Sequence, residues 1–197
     1  MNLVSRVTNI ALRPKEEWPV IAAESETVGS LYTKVIIVLA AIGPVCNALN
    51  SMIFGHSVWF SSIRYRPAFG AILTGLIVGY ILALVGVWAT AFIVQKLAPS
   101  FQSEGDLPQA LKLVTYSNAP FWVAGVLNLI PVLGILTIFV GLYGLYLAYL
   151  GLPVIMKTPP DKVPVYLIVV IAVSIVVWFV VGAITAVFVG AGTMVAG

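Results

Sequence analysis

Apolar residues run along most of this chain in stretches too long for the core of a soluble domain. Uncharged runs cover 67–95 and 164–189, another follows Lys34 to about Ile53, and Leu113 to Met156 passes without one charged side chain. As a single helix that last run would measure about 66 Å at ~1.5 Å per residue, twice the ~30 Å hydrocarbon thickness of a bilayer. Near its middle lies Asn128-Leu-Ile-Pro131-Val-Leu-Gly134. Proline there removes a backbone donor and glycine permits a reversal, so the run reads as a hairpin of two spanning helices. The pattern predicts an all-α polytopic membrane protein with a five-helix transmembrane bundle at about 31–53, 67–95, 112–130, 132–156 and 164–189. Its domains are then a cytoplasmic tail, 1–30, and a transmembrane domain, 31–197. The segment at 112–130 is the weakest of the five, because it holds Pro120 and several polar residues.

The tail has its own periodicity. Leu3, Val7, Ile10 and Ala11 recur at helical spacing, so 2–12 predicts a short amphipathic helix that Pro14 breaks. A second turn, Lys15-Glu-Glu-Trp18-Pro-Val-Ile21, carries what reads as an interfacial tryptophan. Such a flank either senses the membrane surface or caps the bundle from below, and capping is the commoner use.

Composition strengthens this picture. The chain is 61% hydrophobic and 9% charged, against ~25% charged in ordinary soluble domains. Its net charge of +3 does not suggest nucleic acid, since the basic residues are scattered rather than grouped on one face. They serve better as orientation signals. Under five spans, eight of the ten Lys and Arg lie on the side of the N-terminal tail, and only Arg64 and Arg66 lie opposite. The positive-inside rule then places the N-terminus in the cytoplasm and the C-terminus outside. The tail lacks a signal-peptide core and should be retained.

A search for chemistry returns little. The single histidine, His56, and single cysteine, Cys46, cannot supply three or four metal ligands, and no catalytic motif is present. No cofactor, metal site or enzymatic activity is expected. The middles of the spans hold no ionisable group, which argues against proton-coupled transport and voltage sensing. They do hold neutral polarity: Tyr116, Ser117 and Asn118 on one arm of the hairpin face Tyr143, Tyr146 and Tyr149 on the other. Tyr143 and Tyr146 lie too deep for an aromatic belt, and a phenol in lipid needs a hydrogen-bond partner. This patch either lines a polar pocket or joins helices together. Small residues form close-packing ridges, Ala71, Gly75, Gly79 and Ala83 in the second span and Gly182 and Ala186 in the last. The linker Lys157-Thr-Pro-Pro-Asp161-Lys162 is more specified than a passive loop, and its charges suit docking on the tail near Arg13, Lys15, Glu16 and Glu17.

The segment Tyr149-Leu-Gly-Leu-Pro153-Val-Ile-Met-Lys157-Thr-Pro-Pro-Asp161-Lys162, preceded by Tyr116-Ser-Asn-Ala-Pro120 and by Pro14 and Trp18, resembles bacterial members of the Yip1 domain family. The resemblance implies five spans with a cytoplasmic N-terminus. Eukaryotic relatives are associated with Rab GTPases, vesicle budding and organelle shape. This chain has only a short tail before its first span, so GTPase recruitment does not carry over. The resulting expectation is a non-catalytic protein of the bacterial inner membrane with an organising or adaptor role. Its expected partners are membrane lipids and other membrane proteins or a second copy of itself. The alternative is a small-solute transporter or channel built on the polar patch.

Overall fold

The computed structural model describes residues 2–57, 64–65, 67–130 and 132–195, so Arg66 and Pro131 lie outside the described residues. Seven helices order the chain: α1 (Leu3–Leu12), α2 (Pro14–Ala23), α3 (Val28–Phe54), α4 (Phe69–Leu97), α5 (Leu107–Ala124), α6 (Leu136–Ile155) and α7 (Val163–Val195). Between α3 and α4, His56 and Ser57 pair antiparallel with Tyr65 and Arg64, a two-residue exception to an otherwise helical fold.

Local sequence explains the boundaries. Asn2 caps α1 by accepting from Ser5 N at 2.8 Å, and Thr27 opens α3 with a reciprocal capping box to Ser30. The α3 helix is irregular: Tyr32–Ile36 is a π-turn, and the helix breaks at Ala41, where Pro44 denies Ala40 its hydrogen bond. Asp106 caps α5 at Gln109 N. The end of α5 tightens into a 3-10 turn over Gly125–Leu129, and a second such turn, Leu133–Ile135, leads into α6.

Among the described residues four segments are long and apolar enough to cross a membrane: Val28–Phe54, Phe69–Phe101, Leu133–Ile155 and Val163–Phe188. The fifth expected span is the exception. The helix α5 carries Lys112, Gln109 and Asn118, and more than half of its residues are buried inside the protein. By contrast only 6% of the apolar window of α7 is buried. A helix enclosed by other helices need not be apolar all round, and among the described residues four helices, not the expected five, are long and apolar enough to cross.

The core gathers around α5. Its hairpin partner α6 approaches so closely that a Cβ at Gly144 would come 2.8 Å from Ser117 O, and one at Gly125 would come 2.8 Å from the Cα of Gly43 on α3. The tail is part of this core. Its helices α1 and α2 pack as a hairpin against α5 and α6, burying Ile10, Trp18 and Ile21 completely. Tail, 98–106 loop and 157–162 linker meet at one end of the bundle, while Asn50 of α3 donates to Asn128 O (2.8 Å) and Leu129 O at the other.

Candidate functional site

The end of the bundle that carries the tail is a charged structure built on an apolar frame. Along α1, Leu3, Val7 and Ile10 face the core, and Arg6 lies on that same stripe rather than on the polar face. Its guanidinium is buried. It donates to Glu17 Oε1 of α2 at 2.5 Å and to Glu24, and it sits over the Tyr116 ring at 6.0 Å. Desolvating these charges costs several kcal/mol per ion unless each is paired, and the paired geometry here meets that demand. Lys112 of α5 is buried too, its ammonium held by the carbonyls of Ile21 (2.9 Å) and Glu24 at the end of α2. A cation placed on the last carbonyls of a helix is favoured by their partial negative charge.

The sequence context of Trp18 suggests a membrane interface, but the side chain is fully buried and packs, like Leu113, against Gly151. Only glycine leaves room for it. A Cβ at position 151 would lie 2.7 Å from Trp18 Cζ2 and 2.7 Å from Leu113 Cδ1.

Beside this cluster lies a cavity of about 470 Å³ bordered by both signs of charge: Arg6 and Lys34, Glu24 and Glu26, together with Asn2, Ser25 and Tyr116. A second cavity, about 520 Å³, opens between α3, α4 and α7 and is mainly apolar. Ala71, Gly75, Gly79, Ala83, Gly182 and Ala186 all line it. At Gly79 a Cβ would meet Thr185 Cγ2 at 3.5 Å, ordinary contact, and at Gly182 it would meet nothing within 4 Å. The tighter approach of α4 to α7 is at Gly86, where a Cβ would come 3.2 Å from Val181 Cγ2.

The expected polar patch divides among several environments. Tyr116 borders the charged cavity; Ser117 is buried, and Asn118 donates to its own helix at Val114 O, 2.7 Å away. Tyr143 finds the partner its depth requires in the tail, donating to Ala11 O at 2.7 Å. Tyr146 packs 5.7 Å from the Tyr143 ring but is 45% exposed, as is Tyr149. Of the six residues, Tyr116 alone lines either of the two cavities described above. The linker also docks elsewhere than on the tail. Lys157 pairs with Glu104 at 2.7 Å, Ser103 Oγ bonds Thr158 Oγ1 at 2.8 Å, Glu104 N donates to Met156 O, and Asp161 is 3.7 Å from its neighbour Lys162. Gly105 makes this possible: its φ of 144° suits glycine, and a Cβ there would strike Met156 Sδ at 2.8 Å. Lys157 holds the Glu104 carboxyl below its ordinary pKa through this hydrogen bond and its charge.

Sequence reasoning missed Arg6, Glu17, Glu24, Glu26, Lys34 and Lys112 as a group. One signal was available, a cation at the second position of the otherwise apolar stripe Leu3, Arg6, Val7, Ile10. Among the described residues no group of three His, Cys, Asp or Glu is placed to hold a metal ion.

Comparison with known proteins agrees with this architecture. The chain is 27% identical over 155 residues to the Inner membrane protein YohC of Escherichia coli strain K12, an alignment covering 76% of this chain and 78% of that protein. It matches the same-named protein of E. coli O6:H1 strain CFT073 to the same extent. No solved structure matches it. The Yip1 domain profile extends over residues 8–193, from within α1 almost to the end of α7, and the chain belongs to the Yip1 domain family of membrane proteins.

Proposed function

We propose that this chain is a non-catalytic protein of the bacterial inner membrane that crosses the bilayer five times, N-terminus inside and C-terminus outside, and organises the membrane or adapts other proteins to it. The observation that carries this reading is where the polar side chains of the helices are spent. Thr90, Asn118, Ser174 and Thr185 each hydrogen-bond a carbonyl three or four residues back in their own helix. Tyr32, Tyr80 and Tyr166 bond carbonyls of neighbouring helices, at Leu84, Ile37 and Val94. Groups committed in this way cement helices and do not offer a solute replacement for its water; Thr115 Oγ1 and Ser117 Oγ, buried without a partner, are the exceptions. The little-buried α7 supports an interaction role, because its long apolar surface faces lipid or a membrane partner. Five crossings follow if α5 with its 3-10 extension is a span shielded from lipid by its neighbours. The name YohC and its inner-membrane description support the location.

Reconstitution tests the reading against the transporter alternative. Purified chain in liposomes should release small solutes no faster than protein-free vesicles. A photo-crosslinking residue at exposed Phe179 should capture lipid or protein. Robust solute flux, lost in a Tyr146→Phe, Asn118→Ala double variant, would establish the transporter instead.

A further inference from the structure

The charged cavity has the chemistry of a ligand site rather than of a packing defect. Its volume, about 470 Å³, falls within the ~300–1,000 Å³ usual for small-molecule sites. Its four ionic side chains balance, two cations against two carboxylates. Two of the four are already satisfied, Arg6 by Glu17 and by Glu24. The other two are less completely paired. Glu26 reaches Lys34 only loosely, Oε1 to Nζ at 3.8 Å; its carboxylate also interacts with the Tyr116 hydroxyl, and its oxygen Oε2 is buried without a partner in hydrogen-bonding geometry. A buried carboxylate oxygen is costly to leave unpaired, and most such atoms are satisfied in native proteins. Lys34, beside Glu26 at the edge of the cavity, has a side chain 67% exposed and able to turn toward an incoming anion.

A ligand that fits must bring a hydrogen-bonding cation for Glu26 and an anion for Lys34. The position of the cavity identifies its source. Lys34 is the last charged residue before the uncharged length of α3, and exposed Ile37 and Val38 follow it within about one turn. Alongside, α1 turns Val4 and Leu12 outward, both 75% exposed. The mouth thus stands at the level where lipid headgroups meet acyl chains, with apolar surface on either side. We propose that this cavity binds the phosphoethanolamine headgroup of a membrane phospholipid, its ammonium on Glu26 and its phosphate on Lys34, with the acyl chains along the outer face of α3. The assignment rests on the membrane placement proposed above but not on the absence of transport. It gives the tail a purpose beyond capping: α1, through Asn2, Leu3 and Arg6, closes one wall of a lipid site.

The ammonium distinguishes this lipid from its relatives. A choline headgroup has the same charge but no N–H to give Glu26, and a glycerol headgroup has no cation. Native mass spectrometry of the full chain in detergent, titrated with phosphatidylethanolamine, phosphatidylcholine or phosphatidylglycerol, measures the preference directly. Phosphatidylethanolamine should be retained about tenfold better than phosphatidylcholine, the value of one charge-assisted hydrogen bond. Glu26→Gln should abolish that preference, and Lys34→Gln should weaken all three lipids. Lys34 is exposed, so its variant keeps the test decisive if Glu26→Gln fails to fold. Equal retention of ethanolamine and choline lipids by the native chain would overturn the proposal, as would unchanged retention in Lys34→Gln. Soluble phosphoethanolamine competing at the affinity of the lipid would overturn the lipid assignment in favour of a free metabolite. Solute flux, which tests the functional reading, is a separate measurement, so the two can fail independently.

Discussion

Replacing Gly151 by alanine asks whether the tail is structurally locked to the bundle. The new Cβ would lie within 2.7 to 2.8 Å of Trp18 Cζ2, Trp18 Cε2 and Leu113 Cδ1. Atoms cannot remain that close, and the new methyl would press on the indole and on Leu113 together. Repacking around an inserted methyl in a filled core costs about 1–3 kcal/mol. Expelling Trp18 altogether would cost about 3–5 kcal/mol, comparable to truncating a buried aromatic. Helix propensity works in the opposite direction, favouring alanine over glycine by up to about 1 kcal/mol, so a net loss is diagnostic of the clash. Two assays read it: thermal unfolding in detergent, and emission from Trp18 with the other four tryptophans changed to phenylalanine. Gly151→Ala should lower the midpoint and shift the emission. A Trp18→Phe, Gly151→Ala pair should cost less than the sum of the two single changes, because the smaller ring leaves room for the methyl. Full stability with unchanged emission, or strict additivity, would refute the wedge.

Other consequences are as direct. Arg6→Ala should destabilise by about 3–5 kcal/mol by stranding Glu17 in a buried site, whereas Arg13→Ala, whose contact with Glu16 is exposed, should cost about 0.5 kcal/mol or less in the same melts. Gly125→Ala should be poorly tolerated, since its Cβ would meet Gly43 backbone at 2.8 Å, and Gly182→Ala should be neutral within about 0.5 kcal/mol. The Glu104 carboxyl is held below its ordinary pKa, so its contribution is complete above the unfolded-state value and is lost as pH falls through the lower folded one. Carbon NMR titration should show its midpoint rising in Lys157→Gln, and an unmoved midpoint would reject the pairing.

The parts of the fold visible in the sequence are those set by lipid. Four long apolar stretches had to be buried in something apolar, and no tertiary detail was needed to find them. The fifth helix was harder, because Lys112 and Tyr116 are supported by the tail, through Ile21 O, Glu24 O and Arg6. The tail itself was legible as a cap in its spacing, but the depth of Trp18 was not, since that depends on a glycine more than a hundred residues away. The linker's docking partner was equally hidden. Glu16 and Glu104 are alike as charges, and what selects Glu104 is backbone geometry, the φ of Gly105 and the hydrogen bond to Met156 O. The charged cavity was invisible for the same reason: it joins α1, the turn before α3, and α5.

The central claim is that α5 crosses the membrane within a shell of four lipid-facing helices, which makes the number of crossings odd. Paired compartment reporters test this most directly, one fused after the last residue and one inserted at Gln102 in the α4–α5 loop. The account predicts a cytoplasmic signal from the loop and an external signal from the C-terminus. Cytoplasmic signals from both would contradict it, because α5 and α6 would then cross the membrane an odd number of times together rather than as a hairpin.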